Sequence, residues 1–155
     1  MSELTNIEDV IRGYLPDIIH MSLGTCAGDK PWVCEVHFVY DAELNIYFRS
    51  LASRRHSQEI SANPNVAGNM VVQHNKTDKP RGVYFEGMAT QLEDVKKTDD
   101  AYQLYRERFG TGPEILEEDA RDEGHKFYKI TVENYYLFDS RDSKPSQKYS
   151  LSWGK

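Results

Sequence analysis

The sequence predicts a mainly β fold, a small antiparallel barrel of six strands with two to three short peripheral helices. Six segments are rich in apolar residues between turn signals, and several of them alternate apolar and polar residues, which is the pattern of strands with one buried face. Short turns at 28–31 and 41–43 join the first three of them, and this favours an antiparallel meander. The 155 residues suffice for one core without disulfide or metal support. We therefore expect one domain over 1–155, with a core at about 17–139 and a C-terminal tail at 140–155.

The individual elements follow from periodicity, capping residues and proline stops. The predicted strands are 17–26, 32–40, 44–50, 65–74, 81–92 and 126–139. Short helices are predicted at 5–15, 53–63 and 99–109, and an acidic helical turn at 114–123. Thr5 and Glu8 are spaced as a capping box for the first helix, and Ser53 stands where the second needs its N-cap. We expect the acidic turn to be a solvated face.

Two strands carry further detail. Gly82 and Gly87 lie inside the fifth predicted strand, which indicates a bulge or the close approach of another group. In the last strand the apolar residues lie in one phase of the alternation, so they are expected on one face of the strand: Tyr128, Ile130, Val132, Tyr136 and Phe138.

Composition excludes several classes of function. The net charge of −6 argues against nucleic acid or an anionic membrane surface as the main partner. Cys26 and Cys34 are too few for a disulfide framework and too widely spaced for a CxxC motif, so we interpret them as reduced packing residues. The chain begins without a signal-peptide pattern and contains no long apolar run. We expect a soluble, cytoplasmic protein.

A basic segment stands out against this acidic background, since no Asp or Glu occurs between residues 44 and 58. Arg49 falls on the face of its strand that is opposite to the core-facing residues. Arg54, Arg55 and His56 fall in the first turn of the following helix, where the free N–H groups already carry a partial positive charge. Such an arrangement favours a bound anion, and phosphate is the typical ligand. The alternative is a solvated basic turn.

Other chemistry has less support. The five histidines show neither HxxxH nor HExxH spacing, so no metal site is expected. Ser53 lacks the surroundings of a nucleophile elbow, and no catalytic residue can be assigned.

Four segments, taken together in their order and spacing, resemble the pyridoxamine 5′-phosphate oxidase-like family of FMN-binding split barrels. Within that family, the chain is more similar to an uncharacterised branch than to the founding oxidase. The segments are LGTCAGDKPWVCEVHFVYD, IYFRS, SRRHSQEISANPNVA and RGVYFEGMATQLED. The resemblance implies a six-stranded Greek-key split barrel that forms a homodimer, with FMN bound in clefts at the dimer interface. Trp153, a large aromatic near the end of the tail, gives slight independent support for a contact between subunits.

The resemblance also implies which residues bind the cofactor. The phosphate segment would comprise Arg49, Ser50, Ser53, Arg54 and Arg55. The residues near the isoalloxazine would be Val36, His37, Phe38 and Val39, with Arg81 and Gly82 approaching the flavin from another strand.

The C-terminal sequence DSRDSKPSQKYSLSWGK departs from the Arg/His signature with which the founding oxidase recognises its substrate. The resemblance therefore implies an FMN-dependent oxidoreductase that acts on an unidentified small molecule rather than on pyridoxamine phosphate. The alternative is a non-catalytic protein that binds or sequesters FMN, heme or another anionic ligand.

Overall fold

The computed structural model describes residues 3–72, 74–141 and 146–150. The helices are α1 (Glu3–Tyr14), α2 (Arg55–Ala62), α3 (Asp100–Phe109) and α4 (Glu114–Asp119), with one 3₁₀ turn at Leu15–Asp17. The strands are β1 (His20–Ala27), β2 (Lys30–His37), β3 (Val39–Tyr40), β4 (Ile46–Leu51), β5 (Asn65–Met70), β6 (Arg81–Gln91), β7 (His125–Asp139) and β8 (Ser146–Ser150).

All strands belong to one antiparallel sheet in the order β2-β1-β5-β6-β7-β4-β3, with β8 also paired to β7. β2 and β3 form the two ends of this order, yet only Phe38 separates them along the chain. The sheet must therefore curl until its ends approach each other, so the predicted mainly β, antiparallel class is confirmed. The described residues contain eight strands instead of the predicted six, because Phe38 divides the second strand and the tail adds β8.

The interior of the curled sheet forms the main core, and α1 closes one end of it with Ile7, Ile11 and Tyr14. The largest fully buried strand residues of this main core are Met21, Leu23, Phe48, Phe85, Tyr128 and Tyr135. The first helix begins at Glu3, so the predicted capping box at Thr5 is wrong and Thr5 lies inside the helix.

A β-bulge interrupts the pairing of β6 with β7, as the glycine pattern predicted. Glu86 pairs with Asn134 and Gly87 with Val132, which leaves one extra residue on β7. A Cβ at position 87 would lie 2.3 Å from the carbonyl oxygen of Thr131, so only glycine fits here. The extra residue reverses the two faces of β7 beyond the bulge. The single phase predicted for this strand is therefore wrong: Tyr135 and Leu137 are buried, in place of Tyr136 and Phe138.

A second, smaller core lies outside the curled sheet, where α3 and α4 cover β3, β4 and the start of β7. Its buried members are Val39, Tyr47, Ala101, Tyr102, Tyr105, Ile115 and Phe127. Gly110 ends α3 in the left-handed conformation, with φ of 66°, which is the C-cap that the sequence predicts. This second core sets the last turn of α4 against the outer face of β4.

Both cysteines are free and partly buried. Among the described residues no helix is long and apolar enough to cross a membrane.

Candidate functional site

The predicted phosphate segment runs from the end of β4 through a turn into α2. Ser50 and His56 tie the strand to the helix, since the Ser50 Oγ and the His56 Nε2 are 2.6 Å apart and both side chains are buried. Burial, and then the charge of Arg54, lower the pKa of His56. The neutral imidazole therefore belongs to the packing of this segment, and it fixes where the first turn of α2 lies.

The N-cap of α2 is Arg54, one residue later than the predicted Ser53. Arg54 has the extended backbone of a cap, with φ of −67° and ψ of 150°, but an arginine side chain cannot accept a hydrogen bond from the helix N–H groups. Within the described residues, the Arg54 side chain makes no capping hydrogen bond at this end. The first-turn N–H groups thus keep their capacity to bind an anion.

Arg49 lies on the outer face of β4, as predicted, and is engaged by the acidic end of α4. Its Nη2 is 2.6 Å from Asp119 Oδ1 and 3.6 Å from Glu118 Oε2, and its guanidinium stacks over the Phe127 ring at 5.3 Å. Burial raises the pKa of Asp119 although Arg49 opposes this, whereas a hydrogen bond to His125 lowers the pKa of Glu118. The prediction that the acidic turn is a solvated face is therefore wrong for Glu118 and Asp119. An anion could reach Arg49 only by displacing them.

Arg55 is also paired. Its Nε donates to Glu59 Oε2 at 2.8 Å, and the other oxygen of Glu59 accepts from the Thr25 hydroxyl at 2.8 Å. The Arg55 guanidinium lies over the Trp32 ring, 4.2 Å from its centroid. Hydrogen bonds from Arg55 and Thr25 lower the pKa of Glu59, so this carboxylate stays charged.

Within the described part of the chain, Arg54 is the arginine of this segment that is exposed and makes no ion pair. The structure thus brings Ser53, Arg54 and Arg55 together at the start of α2, anchored by Ser50, and turns Arg49 away to the opposite face of β4.

The four residues predicted to lie near the flavin ring do not share one face. Phe38 is fully buried in the main core, and Val39 is buried in the second core. Val36 is partly buried, and His37 is exposed. This difference is expected, because neighbouring side chains of a strand point to opposite faces. By their exposure, Val36 and His37 are the members of this group that a ligand can reach from solvent.

His37 has a partner that the sequence analysis missed. Its Nε2 lies 3.0 Å from the Nε2 of His20, which occupies the opposite position on β1. Burial, and then the His20 imidazole, lower the pKa of His37. A signal for this pair existed in the predicted hairpin, whose two strands hold both histidines, but its turn predicted at 28–31 did not give the observed register, in which Ala27 pairs with Lys30 and His20 with His37. No group of three or more His, Cys, Asp or Glu side chains suited to a metal ion occurs among the described residues.

Arg81 and Gly82 begin β6 at a distance from α2. Arg81 stacks over the Tyr14 ring at 5.0 Å and lines an open cavity of about 410 Å³ with Lys79 and Arg141. On β7, Arg81 pairs with Asp139 and Ser50 pairs with Lys126. These positions are 13 residues apart (139 − 126), or about 40 Å along the strand. The structure therefore does not bring the two parts of the predicted site together within one chain.

The curled antiparallel sheet and the strand, turn and basic helix that it presents are features of split-barrel proteins. The family model described as pyridoxamine 5′-phosphate oxidase matches residues 7–139. The chain belongs to this family, as the sequence resemblance indicated.

Three comparisons place the chain among its relatives. A UPF0306 protein of Photorhabdus laumondii is 30% identical over 88 residues, which cover 56% of this chain and 62% of that protein. The crystal structure of Campylobacter jejuni ChuZ matches with a TM-score of 0.75 and 13% identity over 97% of this chain and 61% of that chain. HutZ, the heme storage protein of Vibrio cholerae, matches with a TM-score of 0.63 and 19% identity over 81% of this chain and 89% of that chain. The chain thus spans just under two thirds of the first two relatives. Solved structures with this fold thus include a heme storage protein and a putative pyridoxamine 5′-phosphate oxidase of Listeria innocua.

Proposed function

We propose that this protein binds FMN and acts as an FMN-dependent oxidoreductase on a small molecule. The observation that carries the proposal is the uncapped start of α2, where exposed Arg54 adjoins free first-turn N–H groups and the Ser53 hydroxyl. A phosphate group fits this arrangement, because it supplies the acceptors and the negative charge that the helix end lacks. Family membership over residues 7–139 makes FMN the phosphate ester to test first.

The protein's own contribution would be to hold and orient the cofactor. Arg54 and Ser53 would donate hydrogen bonds to the phosphate, and the bond between Ser50 and His56 would keep the helix start in place. Val36 and His37 are the exposed or partly exposed residues of the segment that the resemblance assigns to the flavin ring. Bound FMN would supply the transfer of hydride or electrons, which no side chain can provide.

A homodimer completes the proposal. The two parts of the predicted site lie far apart on β7, so a second copy that places its own β6 start beside α2 would unite them. Large apolar side chains that such a contact would cover are exposed on β2 and β6 and just after β5: Val33 at 62%, Tyr84 at 40%, Met88 at 42% and Val71 at 44%. The predicted contribution of Trp153 lies outside the described residues. Sedimentation equilibrium should give twice the chain mass, and a monomer that binds FMN fully would contradict this part.

Storage or sequestration of heme is the second candidate, because HutZ shares the fold and the outer sheet face carries exposed histidines. The absorption spectrum of the purified protein, after addition of FMN or of heme, separates the two ligands. Turnover of a reduced nicotinamide by the FMN-loaded protein then separates an enzyme from a binding protein. Saturable FMN binding without turnover under any acceptor would leave the cofactor proposal intact and remove the oxidoreductase activity.

A further inference from the structure

The β1–β2 hairpin carries a pair of histidines on its outer face. His20 and His37 are directly opposite in register, and their Nε2 atoms are 3.0 Å apart. Both side chains are exposed. We propose that this pair is a chelating site for a late first-row divalent transition metal ion, with Ni²⁺ and Cu²⁺ favoured over Zn²⁺. The proposal does not depend on bound flavin.

The distance between the two nitrogens suits an ion that takes its ligands at about 90°. Imidazole nitrogens bind such ions at about 2.0–2.1 Å, so two of them 3.0 Å apart subtend about 95° at a shared ion. Square-planar and octahedral ions require an angle close to this value, and imidazole is a preferred ligand of Ni²⁺ and Cu²⁺. A tetrahedral Zn²⁺ would require the nitrogens to separate to about 3.3 Å.

The two rings are held in this relation by their surroundings. The ring centroids are 4.7 Å apart with the planes inclined by 40°, so the rings are neither stacked on one another nor coplanar. The His37 ring stacks on Phe109 of α3 at 5.2 Å and 16°. Beside the pair, the Phe38 N–H donates to the Ile19 carbonyl at 3.2 Å, which fixes the backbones of the two strands. Preorganisation of this kind lowers the entropy that chelation would otherwise cost.

The charge around His20 also favours a cation. His20 lines an open cavity of about 460 Å³ together with Asp17 and Glu35, and among the described residues no Lys or Arg contributes to the lining. Glu35 lies two residues from His37 on the same face of β2 and accepts a hydrogen bond from Ser22. Arg108 of α3 is a nearby basic group: its guanidinium lies over the Phe38 ring at 5.2 Å and donates to the carbonyl oxygens of Leu15 and Ile18. The remaining coordination positions of the ion would be open to water or to a ligand from solvent.

The competing interpretation is a hydrogen bond between two neutral imidazoles, in which one Nε2–H donates to the other ring. Titration of tag-free protein with NiCl₂, without added FMN and followed by calorimetry, distinguishes the two. We expect one ion per chain, and a loss of affinity of about tenfold or more in His20→Ala and in His37→Ala, because either change turns a chelate into a single contact. The double variant should bind more weakly than either single one, since it loses the remaining imidazole contact as well.

His74→Ala is the matched control, because His74 is also exposed and its Nδ1 lies near the carbonyl of Val72. This variant should bind Ni²⁺ as the wild type does. The Cu²⁺-loaded wild type should also show coupling to two nitrogens in its electron paramagnetic resonance spectrum. If circular dichroism shows that either alanine variant is unfolded, His20→Gln replaces it in the titration, because glutamine preserves the size of the side chain. Wild type that fails to saturate with Ni²⁺, or a His20 variant that binds as tightly as wild type, would overturn the proposal.

Discussion

Replacement of Arg54 by alanine removes the arginine of the phosphate segment that makes no ion pair among the described residues, and it leaves the two paired arginines in place. Charge-assisted hydrogen bonds are worth about 1.5–3 kcal/mol each, so the loss of one should weaken FMN binding by about 10- to 150-fold. Stability should change by less than about 0.5 kcal/mol, because Arg54 makes no ion pair within the described part of the chain and its positive charge opposes the helix dipole. Quenching of FMN fluorescence during titration measures the affinity, and urea denaturation measures the stability.

The matched control is Arg106→Ala, since Arg106 is also exposed but lies in the last turn of α3. It changes the net charge by the same amount and should leave FMN affinity unaltered. If Arg54→Ala binds FMN within about twofold of wild type, the assignment of the phosphate to the start of α2 is refuted. If both variants weaken binding equally, the effect is one of overall charge and the local assignment again fails.

The other predictions concern the groups that hold this segment in place. Asp119→Ala leaves the largely buried Arg49 without its closest ion-pair partner. Loss of one partner of a fully buried ion pair lowers the free energy of unfolding by about 3–5 kcal/mol. Because Glu118 lies 3.6 Å from Arg49 and can compensate in part, we expect a decrease of about 2 kcal/mol. Glu117→Ala, on the exposed side of the same helix, should change the urea midpoint little, and equal effects of the two variants would contradict the role of the ion pair. The pKa of His56 is lower in the folded chain than its ordinary value, so the unfolded chain takes up a proton more readily than the folded chain does. The contribution of His56 to stability is therefore complete above about pH 6.5 and is lost as the pH falls through the pKa of the folded state. The urea midpoint of His56→Asn should therefore depend less on pH between about 7 and 5 than that of wild type, and an unchanged dependence would exclude His56 as a source.

Local patterns in the sequence were sufficient for the features that depend on neighbouring residues. Strand alternation placed Arg49 on the outer face of β4, and Gly110 marked the end of α3. The basic segment was visible because its residues are consecutive in a chain that is otherwise acidic. Gly87 indicated the bulge, since a strand interior has little other use for glycine.

The features that local patterns did not predict depend on contacts between residues distant in sequence, or on a shift of strand register by one residue. The ion pair between Arg49 and Asp119 joins residues 70 apart, and only the packing of α4 on β4 brings them together. The bulge adds one residue to β7, which is enough to exchange the buried and exposed faces beyond it. The pair of His20 and His37 required the exact register of a hairpin, which turn residues alone leave uncertain by a position or more.

The central claim is that the start of α2 holds a phosphate group, and comparison of FMN with riboflavin tests it most directly. The two flavins share the ring and differ in the phosphate, so the ratio of their dissociation constants isolates that group. We expect FMN to bind about 100-fold or more tightly, as two charge-assisted hydrogen bonds would require. Equal affinities for FMN and riboflavin, or no binding of either, would contradict the account.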